Sequence, residues 1–372
     1  MVGGQGLQMP ARKLGEPDAK APPRWKVNVV RFNKFASFFI LLAGLLSAAR
    51  LNAQNLTLEG QTGGFLTPTA YVVESTKGHF FSPPAVGYHF IDASAVIGDV
   101  QTVSATEGFA NRAEVGYTRS IHTMGDATNA NQGAFSNLWN FNGMNVFHGK
   151  VVAIKDGQFG PWMPGIAIGG VVRTNDRFVS GAAAVQAVEL YDQFCIGSGL
   201  CTPEPVPAAP SFTNGDIYVA VTKTWAKPPV PFLVNLGLKG TNASIFGIGG
   251  QANRFAGRLF GGLGIPLPIG HKLVAVPSAG FTQEPRTVKN LGASPPNGVP
   301  LVAGKADLPM TLDYAVRFTE REHPHFSFDI GVGQVANNIG AVPVTVNGTL
   351  VGELPVNLQA RHVLGMGISI RP

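Results

Sequence analysis

The 372-residue sequence is poor in charged residues and has no long apolar run beyond its first fifty or so positions. Charged residues make up 13% of the chain, about half of the roughly 25% that is usual in soluble domains. Outside residues 1–53, no uninterrupted apolar stretch approaches the roughly 18 residues that a membrane-spanning helix needs. The composition argues against an ordinary soluble α/β enzyme, and the missing runs exclude a bundle of membrane helices.

Catalytic and cofactor motifs are missing as well. The sequence contains no Walker phosphate loop, no Gly-x-Ser-x-Gly nucleophile elbow and no His-Glu-x-x-His metal motif. His323 and His325 flank Pro324, and two histidines at this spacing could hold a metal. We interpret them as exposed polar residues of a turn. The sequence therefore predicts no catalytic residues, no cofactor and no metal site.

The first 53 residues have the layout of a secretory signal peptide with a long n-region. Basic residues at positions 24, 26, 31 and 34 precede the apolar run Phe35–Ala49, and Leu51-Asn52-Ala53 offers a small-residue cleavage site. A membrane anchor is the alternative, but this run is short for a membrane span. We predict a signal peptide over 1–53 and an N-terminal periplasmic or lumen segment over 54–77.

The basic character of the sequence belongs to this leader. Residues 1–53 hold eight basic and two acidic residues, whereas the rest of the chain holds twenty of each. The remainder is neutral, which gives no support for a nucleic-acid partner. The only two cysteines, Cys195 and Cys201, would lie in an oxidising compartment after export, and we predict that they form a disulfide.

Alternation of apolar and polar residues is the strongest positive signal, and it is clearest from Met310 to Val335. Leu312, Tyr314, Val316 and Phe318 alternate there with Asp313, Ala315, Arg317 and Thr319. A period of two places the two sets on opposite faces of a strand. The alternating segments are about 10 residues long, the length of a tilted transmembrane strand, whereas strands of soluble proteins are usually about 5 to 6 residues long.

Twelve such segments can be placed along the chain. The predicted strands lie near 80–92, 99–108, 112–122, 145–155, 163–174, 215–226, 231–242, 255–266, 271–284, 310–321, 325–336 and 359–371. Short and long connections alternate between them, which is typical of outer-membrane barrels. We predict an all-β fold: a transmembrane antiparallel up-and-down β-barrel of about 12 strands (10–14) over residues 78–372. Its partners would be outer-membrane lipid and the barrel-assembly machinery.

The inward faces of the predicted strands carry charge. By alternation the lumen-facing residues are Arg112, Glu114, Lys150, Arg173, Lys239, Arg258, Asp313, Arg317, Asp329 and Arg361. Seven of the ten are basic, so a water-filled lumen would favour anions. The alternative is a largely plugged interior in which such charges pair, for example Arg317 with Asp329. A twelve-stranded lumen is intermediate between packed eight-stranded and open sixteen-stranded barrels.

Near the predicted mature N-terminus lies the motif Gly64, Phe65, Leu66, Thr67, Pro68, Thr69 and Ala70. It resembles a segment of a loose group of uncharacterised Gram-negative outer-membrane β-barrel proteins, some of which are linked to exopolysaccharide secretion. The resemblance implies a porin-like envelope protein with a link to polysaccharide. The alternative is a simple turn before the first strand, because Thr-Pro-Thr favours turns.

These observations leave two functional hypotheses. The first is a non-enzymatic outer-membrane barrel, either a narrow or plugged channel or a structural component tied to polysaccharide export. Its candidate solutes are small anions or polysaccharide. The second is an outer-membrane hydrolase with an active site at the external rim. The missing Ser–His or Asp–His signature favours the first.

Overall fold

A computed structural model describes residues 55–75, 78–93, 98–123, 143–176, 212–226, 230–243, 251–285, 310–321, 325–336, 340–346, 349–356 and 362–371. They belong to one compact unit, Leu46–Pro372. Among these residues, no helix is long and apolar enough to cross a membrane.

The described residues form seventeen strands, twelve of which form the barrel wall. The strands are β1 (Asn55–Leu56), β2 (Thr62–Gly63), β3 (Ala85–Ala93), β4 (Gly98–Phe109), β5 (Ala113–Thr123), β6 (Asn145–Ile154), β7 (Gly165–Asp176), β8 (Phe212–Trp225), β9 (Phe232–Ala243), β10 (Gln251–Gly264), β11 (Leu267–Ile269), β12 (Leu273–Gln283), β13 (Met310–Glu320), β14 (Phe326–Ala336), β15 (Gly340–Val346), β16 (Thr349–Val356) and β17 (Val363–Ile370).

Twelve of these strands close into an antiparallel barrel. From β3 to β10 each strand pairs with the next in sequence, and the ring continues through β12, β13, β14 and β17. Two contacts complete it: β10 pairs with β12, and β17 pairs with β3. No edge is left open, so the backbone groups of the ring are satisfied within it, as a hydrocarbon environment demands. The predicted twelve-stranded barrel is confirmed.

The boundaries of the strands differ from the prediction in a few places. The first barrel strand starts at Ala85, because Pro83 and Pro84 lack the backbone N–H that a ladder requires. Pro277 lies inside β12, opposite Val316, at the point where the other neighbour of β12 changes from β10 to the short β11. The long connection after β14 contains an additional hairpin, β15–β16.

The two faces of the barrel wall differ in polarity. In β13, Tyr314 on the outer face is 52% exposed, whereas the neighbouring Asp313 on the inner face is 4% exposed. The same alternation runs through the other strands, for example at Val219 in β8 and Ile368 in β17, which are both exposed. The outer belt is therefore apolar and the interior polar, which is the arrangement of a barrel in lipid.

The lumen is filled by residues Asn55–Ser75, which we call the plug. Strands β1 and β2 pair within it, and nearly all of its side chains are buried. Gly60 at its tip has a φ of +84°, and a Cβ there would lie 2.5 Å from Thr118 Oγ1 in the wall. Only glycine combines this backbone conformation with so close an approach.

The connections divide the barrel into two ends. Short turns such as Phe109–Ala113 and the link between β13 and β14 lie at one end, which we call the short-turn end. The connections that follow β5, β7, β12 and β14 are longer, and the strands that they join end at the other end of the barrel, the long-loop end. The plug leaves the lumen at the short-turn end, where Ala110 N donates to the carbonyl oxygen of Phe80.

Candidate functional site

A buried ion pair on β5 and β6 holds the middle of the plug. Glu114 and Lys150 lie directly opposite each other. Their side chains are fully buried, and Lys150 Nζ lies 3.1 Å from Glu114 Oε1. Lys150 Nζ donates to the carbonyl oxygens of Thr62 and Thr69, at 2.8 and 3.0 Å. Glu114 accepts from the backbone N–H and hydroxyl of Thr62 and from the N–H of Val73, at 3.0, 2.5 and 3.1 Å. We call this group the first clamp.

The second clamp binds the tip of the plug. Arg173 in β7 donates to both carboxylate oxygens of Glu59 in the plug, at 2.5 and 2.8 Å. The same guanidinium donates to Asp216 Oδ2 in β8 at 2.7 Å. The guanidinium also donates to Asn214 Oδ1, at 3.4 Å. One plug carboxylate and one wall carboxylate thus share a single buried cation.

The third clamp joins the plug to β13 and β14. Arg317 forms two parallel hydrogen bonds with Asp329, at 2.8 and 3.1 Å, and donates to the carbonyl oxygen of Gly63 at 3.0 Å. Asn55 donates to Asp329 Oδ2 at 2.6 Å and accepts from the Ser327 hydroxyl at 2.6 Å. Such charge-assisted bonds are roughly twice as strong as neutral ones, so the three clamps hold the plug firmly.

One aromatic side chain of the plug packs into a gap in the wall. Phe65 lies against Gly365 in β17, where a Cβ would be only 2.4 Å from Phe65 Cζ. Its ring also meets the ring of His89 edge-on, with the centroids 6.0 Å apart. The absence of a side chain at Gly365 makes room for the phenyl ring.

The exit of the plug is fixed at the short-turn end. The Tyr71 hydroxyl is 2.9 Å from Asp156 Oδ2 and 2.6 Å from Thr224 Oγ1. Burial raises the pKa of this hydroxyl above its usual value, so Tyr71 remains a neutral donor. Farther along, the guanidinium of Arg371 donates to the carbonyl oxygen of Glu74. The plug is therefore anchored along its length.

A cavity remains on one side of the plug, against β9, β10, β12 and β13. Its volume is about 80 Å³. It extends from Thr224 and Arg321 at the short-turn rim to Asp313 inside the barrel. Asp313 Oδ1 is buried and has no hydrogen-bond partner among the residues that the structure describes. The contact between plug and wall is thus incomplete on this side.

The structure brings most of the predicted lumen residues together. Glu114, Lys150, Arg173, Lys239, Asp313, Arg317 and Asp329 are buried inside the barrel. Arg258 is partly buried and donates to the carbonyl oxygen of Glu284 at 2.8 Å. The plug carries the motif Gly64–Ala70, in which Gly64 N donates to Thr67 O and Asn235 donates to Pro68 O.

Arg112 was predicted to face the lumen, and the structure places it elsewhere. It belongs to the turn between β4 and β5, and its guanidinium donates to the carbonyl oxygens of Val152 and Ala153 and to Gln158 Oε1. It lies at the short-turn rim rather than in the lumen, because its side chain reaches the neighbouring turn. Arg361, Cys195 and Cys201 lie outside the described residues, so the disulfide stays a prediction.

Sequence reasoning missed three buried carboxylates. They are Glu59, Asp216 and Glu284. Asp216 could have been found, since it alternates with the inward Tyr218 and Ala220; Glu59 could not, because it belongs to the plug. With these included, the buried charged residues of the described chain comprise six acidic and five basic side chains. Among the described buried residues, the basic excess that predicted anion preference is therefore not present.

His148 does not belong to an external site of the kind that the hydrolase hypothesis requires. His148 is buried in the lumen, with Nε2 3.2 Å from Thr106 Oγ1, and not at the external rim. His325 Nδ1 lies 3.0 Å from the carbonyl oxygen of Arg371, while His323 is outside the described residues. Within the described ranges, no group of three or more His, Cys, Asp or Glu residues is placed to hold a metal ion.

Comparisons with known proteins give structural matches alone. No protein-family model and no curated protein matches the sequence. The solved structure of the NanC porin is 10% identical, with a TM-score of 0.39, and the match covers 78% of this chain and all of that one. The KdgM porin is 7% identical, with a TM-score of 0.37 and coverages of 77% and 99%. The β-domain of the Bordetella autotransporter BrkA is 11% identical, with a TM-score of 0.33 and coverages of 79% and 100%.

The closure of the barrel and the polarity of its outer face indicate where the protein resides. Twelve strands close without an edge, and the exposed face of the wall is apolar. These properties suit lipid outside and polar groups inside. The protein is an outer-membrane β-barrel of twelve antiparallel strands.

Proposed function

We propose that the protein is a non-enzymatic outer-membrane channel that is closed by its own N-terminal segment, the plug. The observation that carries the proposal is the occupied lumen. A barrel of this size could fill its interior with its own side chains or leave it open. Here the wall holds a separate segment through three clamps instead.

The chemistry of the inner wall supports this proposal. A plug that served only as a core would be expected to meet apolar side chains, because burying charge is costly even when it is paired. The wall instead presents Glu114, Lys150, Arg173 and Arg317 to the backbone and carboxylate of the plug. Water can solvate all four groups when the plug is absent. The same lining therefore suits both a closed lumen and a hydrated pore.

Conductance in planar bilayers tests the proposal. The intact protein should conduct weakly or not at all, and a variant lacking residues 55–75 should conduct strongly, because the lumen would fill with water. Heat-modifiable migration on gels verifies that the variant is a folded barrel. If neither protein conducts although both are folded, the channel proposal is overturned and a structural role in the envelope replaces it.

The leader is part of this proposal. We propose that residues 1–53 are removed as a signal peptide, so that the plug begins the mature chain, and that residues 78–372 are inserted by the barrel-assembly machinery with the short turns in the periplasm. Mass spectrometry of the protein from outer membranes should find Gln54 as the first residue. A mature chain that retains the run Phe35–Ala49 would contradict cleavage.

A link to polysaccharide export is supported by the resemblance of the motif Gly64–Ala70. We propose polysaccharide rather than small anions as the transported class, since the described buried residues of the lumen show no excess of basic charge. Deletion of the gene should reduce the polysaccharide recovered outside the cell, and complementation should restore it. Unchanged export in the deletion strain would remove polysaccharide from the proposal and leave the plugged channel untouched.

A further inference from the structure

We propose that the cavity beside the plug is a binding site for a small organic cation, with Asp313 as the group that binds its ammonium. The site goes beyond the proposed channel, because it exists in the closed protein. It combines a buried carboxylate without a described partner, an apolar wall and an open mouth. Each of these features restricts the chemistry of the ligand.

The position of Asp313 gives the first restriction. The residue is 4% exposed, and its carboxylate lies over Gly280 in β12, where a Cβ would be 2.4 Å from Oδ1. Oδ1 has no hydrogen-bond partner among the described residues. A buried carboxylate oxygen without a partner is costly. A ligand that donates a hydrogen bond and carries positive charge would remove that cost.

The neighbouring charges give the second restriction. Arg317 also lines the cavity, but its donors are engaged by Asp329 and by the carbonyl oxygen of Gly63. Its charge is therefore balanced by Asp329. At the mouth, Glu320 and Arg321 have opposite charges. The inner end of the cavity is left with the one uncompensated negative charge of Asp313, which selects a cation over an anion.

The walls give the third restriction. Between the mouth and Asp313, the apolar part of the lining includes Leu233, Pro266, Val274 and Val276. A hydrated metal ion would leave this apolar surface without a matching partner, whereas the carbon chain of an amine would cover it. The chemistry therefore favours an apolar body with a single cationic head.

The volume sets the size of the ligand. A cavity of about 80 Å³ holds on the order of five or more water-sized groups at roughly 10–15 Å³ each. A straight-chain primary amine of about five heavy atoms fits this space. A longer chain could extend through the mouth between Thr224 and Arg321. n-Butylammonium is accordingly the probe of choice.

Calorimetric titration of the full-length barrel in detergent micelles tests the site, with empty micelles as the blank. n-Butylammonium should bind saturably, and n-butanol, which has the same chain without the charge, should bind at least about tenfold more weakly, since hydrogen bonds to charged groups exceed neutral ones. Equal affinity for the two would overturn the proposal and identify an apolar cavity only.

Three variants locate the binding. Asp313→Asn keeps the shape of the side chain and should weaken amine binding at least about tenfold. Glu107→Gln removes a half-buried carboxylate of β4, which does not line the cavity, and should leave the affinity unchanged. Val276→Phe fills the cavity without a change of charge and should abolish binding.

Unchanged affinity in Asp313→Asn, or in Val276→Phe, would overturn the proposal. The two variants act independently, so failure of one to fold leaves the other to decide. The outcome is also separate from the conductance experiment, since amine binding is measured on the closed protein. A barrel that never conducts can still bind the amine.

Discussion

The two halves of the lumen hold the plug in different ways. On β5 to β8, which we call the clamped half, Glu114, Lys150, Arg173 and Asp216 are buried and paired with each other or with the plug. On β9 to β13, the cavity half, Arg317 and Asn235 still donate to plug carbonyl oxygens, but a gap separates the plug from part of the wall, and Asp313 has an oxygen without a described partner. The contrast shows that burial of charge alone does not fix the plug. The plug is held where buried charges are paired, and the carboxylate of Asp313 marks the side that is open to a ligand.

The largest effect is expected from breaking the clamped half. Lys150→Ala leaves Glu114 buried without its cation, which should lower the free energy of unfolding by about 3–5 kcal/mol. The plug should also loosen, so the conductance should rise. Denaturant titration and bilayer recording measure the two effects, and Lys155→Ala, at an exposed lysine of the adjoining turn, is the control. A loss no greater than that of the control would contradict the clamp.

A charge on the outer face should be costly in both halves alike. Val316→Arg in the cavity half and Val219→Arg in the clamped half both place a cation in hydrocarbon near the middle of a strand, and each should cost about 2–4 kcal/mol of stability. Titration in lipid or detergent compares them. A much smaller loss of stability for Val316→Arg than for Val219→Arg would show that the wall beside the cavity tolerates an outer charge better. The two halves would then differ on the outer face as well as in the lumen.

Crowding the aromatic contact should have an intermediate effect. Gly365→Ala places a methyl group 2.4 Å from Phe65 Cζ, and overpacking of this kind costs about 1–3 kcal/mol. Gly257→Ala is the matched control, since no atom lies within 4 Å of its Cβ position. Equal unfolding midpoints for the two variants would mean that Phe65 does not occupy the gap at Gly365.

The smallest effect is expected in the cavity half. Asp313→Ala removes a buried carboxylate that lacks a described partner, so little binding energy is lost and a desolvation cost disappears. The free energy of unfolding should change by less than about 1 kcal/mol, against the several kcal/mol expected for Lys150→Ala. A loss comparable to that of Lys150→Ala would show that Asp313 is paired, and the contrast between the two halves would be wrong.

The barrel could be predicted from sequence because its signal is local. Alternation with a period of two repeats in each strand, and the predicted hairpin over Met310–Val335 corresponds to β13 and β14. The observed strand boundaries differ from the predicted ones where a residue cannot take part in the hydrogen-bond ladder, as at Pro83 and Pro84. The pairing of Arg317 with Asp329 could also be anticipated, since both lie on the inner face of neighbouring strands.

The sequence left a periplasmic and a lumen position open for residues 54–77, and the contacts of the plug could not be predicted with the same means. Its residues have no strand period, and its partners are distant in sequence: Asn55 contacts Asp329 across 274 positions, and Glu59 contacts Arg173 across 114. Alternation reports which face a residue occupies but not which segment fills the space in front of it. The sequence therefore predicted the wall of the site, and the structure supplied what the wall binds.

The third clamp has a consequence for how the protein folds. It joins the first described residue of the plug to β14, one of the last barrel strands to be synthesised, and the ring itself closes only when β17 meets β3. Contacts of such long range make folding slow, because loop-closure entropy is lost before they form. The plug can bind Glu114 and Lys150 while the later strands are still unpaired. We expect an early segment held in this way to give the late strands a surface to assemble on, so that the segment that closes the finished lumen would also guide the assembly of its wall.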